Sequence, residues 1–393
     1  MNKKINAKQN ISLHNLNFLI QNILQLSIGV YFANYLGPED YGIFQSKLIF
    51  ISYFMILGQF VNRDVLINKY SSGYQKNILG EIISCFALSM IAFLLANFFA
   101  YFLFEIELYR RLVFIFSLNL FSSTFIPITV MGLIKGYDHL NILGLFLTKL
   151  LMYGWRLYGI FAFKDILFFS YSIFFELFVY SLLMFTIYKK AKIKNLINFQ
   201  IKVTDLKKTF TNSLSVFFAN FLNILYGAIV VFVVELEFSA KILGGYTLMV
   251  GLQQRISNLS MSFSRYIHLN FLKITKNKNY EYKNSIFQVN LIMSTLIVLF
   301  SSVVLILISE YYLKSFEINY VEILLVFSMC IVTTIRFSYH QLLISYSSEK
   351  HSWKLDMFCL IIFLIIFMIL KNLNLDYFSF LLIYSLSLLF ASC

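Results

Sequence analysis

Apolar runs long enough to cross a bilayer recur along the whole chain, separated by short polar connections. Each holds about 20 residues, the length that roughly 30 Å of hydrocarbon demands of a helix. The pattern predicts helices over roughly 13–35, 43–62, 79–104, 112–134, 141–163, 166–187, 209–234, 243–269, 285–309, 321–345, 355–370 and 376–393. None shows the period-two alternation of barrel strands, and only helices or closed barrels satisfy their backbone groups in lipid. The expected fold class is an all-α integral membrane protein of about 12 transmembrane helices. The longest connection, 188–208, is basic and central. It separates an N-terminal six-helix lobe, 1–187, from a C-terminal six-helix lobe, 209–393, as in transporters built from two parallel halves. No connection is long enough for a soluble catalytic domain.

Composition agrees. Hydrophobic residues make up 59% of the 393, aromatic residues 19% and charged residues only 13%, against about half apolar and a quarter charged in soluble domains. The net charge of +13 changes meaning once the basic residues are placed. Twenty lie in connections on the side of the N-terminus, among them Lys3, Lys4, Lys8, Arg63, Lys135, Lys189, Lys190, Lys207 and Lys208. The other side holds six: Arg110, Arg111, Lys164, Lys241, Lys314 and Lys371. That asymmetry puts both termini in the cytoplasm and describes orientation, not a nucleic-acid surface. A multi-pass membrane protein is expected. The cysteines (Cys85, Cys330, Cys359, Cys393) lie in apolar segments without metal-ligand spacing. No GxxxxGK[ST] run or Ser, His and Asp set can be assembled, so neither a nucleotide motor nor a cofactor nor a catalytic residue is expected.

Six basic residues remain inside spans: Lys47, Lys149, Arg156, Arg255, Arg265 and Arg336. Lys47 lies near a helix end and is read as snorkelling to the interface. Each of the others would cost about 2.5–3.5 kcal/mol at mid-helix and must face protein or a watery cavity. Lys149, Tyr153 and Arg156 share one helix face, as do Gly251, Gln254, Arg255, Asn258, Ser262 and Arg265. Thr333, Arg336 and His340 line up similarly, and the first and seventh spans carry polar stripes that include Gln21, Gln25, Asn220 and Asn223. One acid, Glu176, lies near the middle of a span. A Glu176–Arg156 pair would account for part of this charge as interhelical glue. The surplus of deep cations predicts a central cationic cavity for an anionic ligand, with arginine suited to phosphate oxygens. Glu176 and His340 are the candidates for coupling to H+ or Na+. Pro127, inside the fourth span, is read as a kink.

The turn after the first span reads Tyr35-Leu36-Gly37-Pro38-Glu39-Asp40-Tyr41-Gly42-Ile43-Phe44. Glycine ends one helix, proline opens the next, and two acids sit at the positive end of the second. The wording resembles the LGPxxYGxF signature of the Wzx-type polysaccharide flippases, in the multidrug/oligosaccharidyl-lipid/polysaccharide exporter superfamily. Asn62-Arg63-Asp64 and Lys135-Gly136-Tyr137 resemble that family's cytoplasmic turns, and Ile242-Leu243-Gly244-Gly245-Tyr246 resembles a second-half echo of the first motif. The chain departs from the family in an unusually polar first span and a short last one.

The resemblance implies translocation of an undecaprenyl-diphosphate-linked oligosaccharide between leaflets, for O-antigen, capsule or exopolysaccharide synthesis. A polymerase and other glycan-assembly proteins would be its partners, and nucleic acid would not. On that reading Arg255, Arg336, Lys149 and Arg156 meet the diphosphate, with Arg265 nearby. Gln21, Gln25, Asn220, Asn223 and Asn258 meet the sugars. The alternatives are a membrane polymerase on the same lipid carrier, which would carry a large outer loop, and a drug exporter, which would carry deep carboxylates.

Overall fold

A computed structural model describes residues 7–58 (side chains from 28 onward), 78–134, 137–190, 231, 233–254, 314–316 and other scattered short stretches and single positions. The described residues are helical, with no strand among them. Segments Ile28–Gly58, Ile78–Leu103, Glu107–Gly132 and Ile166–Lys189 are each long and apolar enough to cross a bilayer. The chain is a multi-pass membrane protein. Two compact units form, one of residues 1–10 and 43–228, the other of 11–42 and 229–393. In this division the stretch 11–42 groups with the second half of the chain.

Helix α1 runs Ala7–Gly58 and is broken at Gly37, whose φ of 75° and ψ of 171° leave helical space. A side chain would be strained there, which is why glycine precedes Pro38. In the unit of 11–42 and 229–393, Tyr41 is buried and packs edge-on against Phe32 and Phe316, with centroids 6.2 and 5.9 Å away. Ser315 donates to Asn34 Oδ1 at 3.3 Å. Residues 240–254 form one helix, and its first turn meets the glycine motif directly. A Cβ on Gly42 would stand 2.7 Å from the Gly244 nitrogen, and one on Gly244 would overlap the Pro38 carbonyl oxygen. The two glycine-rich motifs, read in sequence as echoes of one another, are therefore in backbone contact.

In the unit of 1–10 and 43–228, helix α2 is Ile78–Leu103 and α3 is Glu107–Ser117. The span that begins with α3 continues as a 3-10 stretch, Leu118–Phe125, and then as α4, Ile126–Ile134. Pro127, expected to kink this span, instead follows that tightened stretch. With no N–H at Pro127 the Ser123 carbonyl lacks its α-helical donor and accepts from Ile126 in the 3-10 pattern. Ser117, Ser123 and Thr129 each donate to the carbonyl three residues back. Across the seam to α2, Ser89 and Ser123 share a 2.7 Å hydrogen bond and Asn97 donates to Ser117 at 3.0 Å.

Helix α5 is Asp138–Phe161, α6 is the single turn Ile166–Ser170, and α7 is Ser172–Lys190. Asp165 caps α6 by accepting from the Phe168 nitrogen at 3.0 Å. Trp155 stacks on Phe168 at 4.4 Å and donates to its carbonyl at 2.9 Å, tying α5 to the turn. Small residues let α5 and α7 approach closely, as in membrane helix pairs generally. A Cβ on Gly144 of α5 would run into Leu183 of α7; likewise one on Gly159 would run into Phe169 of α6, and one on Gly132 of α4 would stand 2.9 Å from Ile187 of α7. Ile78, Cys85, Val130, Met131, Met184 and Ile187 form a buried apolar cluster at one end of this unit.

Candidate site of deep cations

Exposure along α5 separates two faces. Leu143, Leu147, Leu151, Gly154 and Tyr158 are exposed and recur every three or four residues, which is a lipid-facing stripe. Gly144, Thr148, Met152 and Gly159 are buried. At 3.6 residues per turn, Lys149, Tyr153 and Arg156 fall across the helix from the exposed stripe. On α7 the exposed residues are Phe174, Phe178, Ser181, Leu182 and Phe185, and Glu176 lies off that stripe. The shared face read from sequence is thus an interior face.

Partners follow from that placement. Lys149 Nζ meets Glu176 Oε1 at 3.5 Å. Glu176 therefore pairs with Lys149 and not with Arg156: α5 and α7 run antiparallel, and the register that sets Gly144 against Leu183 brings residue 149 level with 176. The Arg156 guanidinium lies over the Phe44 ring, 5.6 Å from its centroid, and Phe44 packs edge-on against Phe116 at 5.0 Å. Ring faces attract cations through their quadrupole, an attraction that strengthens where water is excluded.

Lys47, one turn beyond Phe44, corrects the sequence reading. It does not snorkel: its side chain is fully buried, with Nζ 3.8 Å from the Phe104 centroid and 4.6 Å from that of Tyr109. The aliphatic stem packs in the unit while two rings receive the charge. Lys47→Met keeps the stem volume and is expected to melt within a few degrees of the parent. Lys47→Glu puts an anion against two ring faces and is expected to fail to accumulate as folded protein, read by size-exclusion chromatography of the solubilised chain.

Of the site residues read from sequence, the structure describes Lys149, Arg156 and Glu176 and brings two of them into contact. Arg255, Arg265, Arg336, Asn220, Asn223, Asn258 and His340, and the side chains of Gln21 and Gln25, lie outside the described residues. Sequence reasoning missed the ring platforms Phe44, Phe104 and Tyr109. The only sequence signal for them is the abundance of aromatic residues, which says nothing about which ring meets which cation.

No protein-family model matches the sequence, and no curated protein matches it. Solved structures do match in fold. One is an inward-facing multidrug resistance MATE family transporter of the MOP superfamily, with TM-score 0.66 at 11% identity over 95% of this chain and 92% of that one. Another is the lipid II flippase MurJ in an inward closed conformation, with TM-score 0.62 at 16% identity over 97% of this chain and 86% of the flippase. A third is a MOP superfamily transporter from Pyrococcus furiosus described by the reverse polarity of its binding pocket, with TM-score 0.59 at 12% identity over 98% and 93%. The chain has the fold of the MOP superfamily transporters. At these identities the likeness is one of fold.

Proposed function

We propose that the chain is a flippase of the bacterial inner membrane that carries an undecaprenyl-diphosphate-linked oligosaccharide from the cytoplasmic to the outer leaflet. The glycan serves O-antigen, capsule or exopolysaccharide synthesis. One observation carries the reading: Lys149 and Arg156 stand on the interior face of a membrane helix, within a fold that a lipid II flippase shares. A diphosphate cannot enter hydrocarbon without replacements for its water, and ammonium and guanidinium groups are such replacements. Lys149, Arg156, Arg255 and Arg336, with Arg265 nearby, hold the diphosphate. Gln21, Gln25, Asn220, Asn223 and Asn258 offer amides to sugar hydroxyls, while the lipid tail stays in the bilayer. Alternating access exposes this path to each side in turn. Glu176 and His340 are its candidates for coupling to H+ or Na+.

Arg255→Ala and Arg336→Ala are expected to insert normally and to stop export. The measurement is retention of lipid-linked oligosaccharide on the cytoplasmic leaflet of cells carrying each variant. Normal export in both would sink the cationic pathway. Multidrug transporters also share the fold, so the parent deletion separates the readings: accumulation of a lipid-linked oligosaccharide favours the flippase, and drug sensitivity without it favours an exporter.

A further inference from the structure

We infer that Glu176 is an internal competitor for the cargo: it holds Lys149 while the pathway is empty and yields it to the incoming diphosphate. The inference rests on the flippase reading above and assigns Glu176 a positioning role within it.

The pair has the properties of a contact that exchanges. A carboxylate is the nearest side-chain likeness to a phosphate, presenting two anionic oxygens to the same ammonium donors. Lys149 and Glu176 keep 25% and 20% of their side-chain surface accessible, on the interior side of their helices. A second anion can therefore approach the ammonium group without the helices parting.

The two helices pack closely against one another. Near the pair Gly144 of α5 stands against Leu183 of α7, while Gly159 of α5 packs on Phe169 of α6. What can move is the lysine head on its flexible four-carbon stem. Arg156 differs, because its planar group rests on the buried Phe44 ring.

The charge around Glu176 is simple. The described elements packed against α7 are α5, the 3-10 stretch 118–125, α4 and α6. The last three contain no titratable residue. From α5 the interior face supplies Lys149, Tyr153 and Arg156, and α7 itself places Tyr180 one turn beyond Glu176. Among the described residues a dianion bound at Lys149 would thus meet a single carboxylate, and that repulsion sets how readily the cargo leaves. Glu176 keeps an empty transporter neutral at this point and limits the affinity of a loaded one.

The test uses the full chain in nanodiscs with two probes, polyprenyl diphosphate and inorganic pyrophosphate, and reads the dissociation constant. Glu176→Gln is expected to bind polyprenyl diphosphate about five- to tenfold tighter than the parent, because a like charge is removed without changing shape. Glu176→Asp, which keeps the charge, is expected to bind like the parent, and Lys149→Met more weakly. Adding Glu176→Gln to Lys149→Met should bring no gain, since the competed-for group is gone. Tightening for pyrophosphate as well assigns the effect to the diphosphate, and tightening for the lipid alone assigns it to the headgroup held with its chain. A Glu176→Gln protein that is folded and binds no tighter than the parent overturns the competitor role and leaves the flippase reading standing. A parent protein that binds neither probe overturns the flippase reading itself.

Discussion

Gly244→Ala is expected to abolish export and to lower the melting temperature of the purified protein by several degrees. The reason is a seam in which main chain touches main chain. A methyl group at Gly244 would overlap the Pro38 carbonyl oxygen and stand 2.9 Å from the Pro38 Cα. On the facing side, a Cβ at Gly42 would stand 2.7 Å from the Gly244 nitrogen and 2.9 Å from the Ala240 carbonyl oxygen. A flexible side chain could swing aside from such contacts, but backbone cannot. Overpacking of this kind costs about 1–3 kcal/mol even where side chains relax, and more where they cannot. Gly42→Ala should act in the same direction.

Two other glycine substitutions serve as controls. A Cβ at Gly245 meets only the Phe316 carbonyl oxygen, at 3.9 Å, and Gly154 has nothing within 4 Å. Gly245→Ala should be tolerated. Gly154→Ala, in the exposed face of α5, should be neutral or stabilising by up to about 1 kcal/mol, because alanine favours the helix. If Gly245→Ala lost as much as Gly244→Ala, the seam would not be the cause.

Glu176→Leu is expected to have the second large effect, this time through charge. It strips Lys149 of the carboxylate at 3.5 Å and leaves an ammonium group in the membrane interior. Breaking a fully buried pair by removing one partner costs about 3–5 kcal/mol. Here a fifth to a quarter of each side chain is accessible, so about 2 kcal/mol is the expectation after discounting for screening. The double variant Lys149→Met with Glu176→Leu removes both charges and should recover most of that loss, since apolar replacement of a buried pair is close to neutral. Thermal melts of the parent, both single variants and the double variant give the coupling directly. Additive single losses would show that the two residues do not act as a pair. On the flippase reading, export should stay impaired in the double variant although its fold returns, because a cation proposed to line the cargo path is missing.

Some of this was open to reading in one dimension. A span of about 20 apolar residues is set by bilayer thickness, so the membrane class and the helices at 79–104 and 166–187 could be placed from periodicity and length alone. Local chemistry also carries over. The Gly37-Pro38 break and the shared face of Lys149 and Arg156 follow from backbone stereochemistry and from 3.6 residues per turn, both of which act within a few residues.

What required the folded chain were relations between distant residues. Tertiary packing decided that Glu176 pairs with Lys149, since the register of α5 on α7 depends on where Gly144 allows Leu183 to approach closely. It buried Lys47 on Phe104 and Tyr109, because ring faces offered the ammonium group a partner that no spacing rule announces. Packing also turned two similar glycine motifs into one contact, at Gly42 and Gly244, and grouped residues 11–42 with the second half of the chain. Periodicity says which face of a helix is turned inward. Only the neighbouring helix says what that face meets.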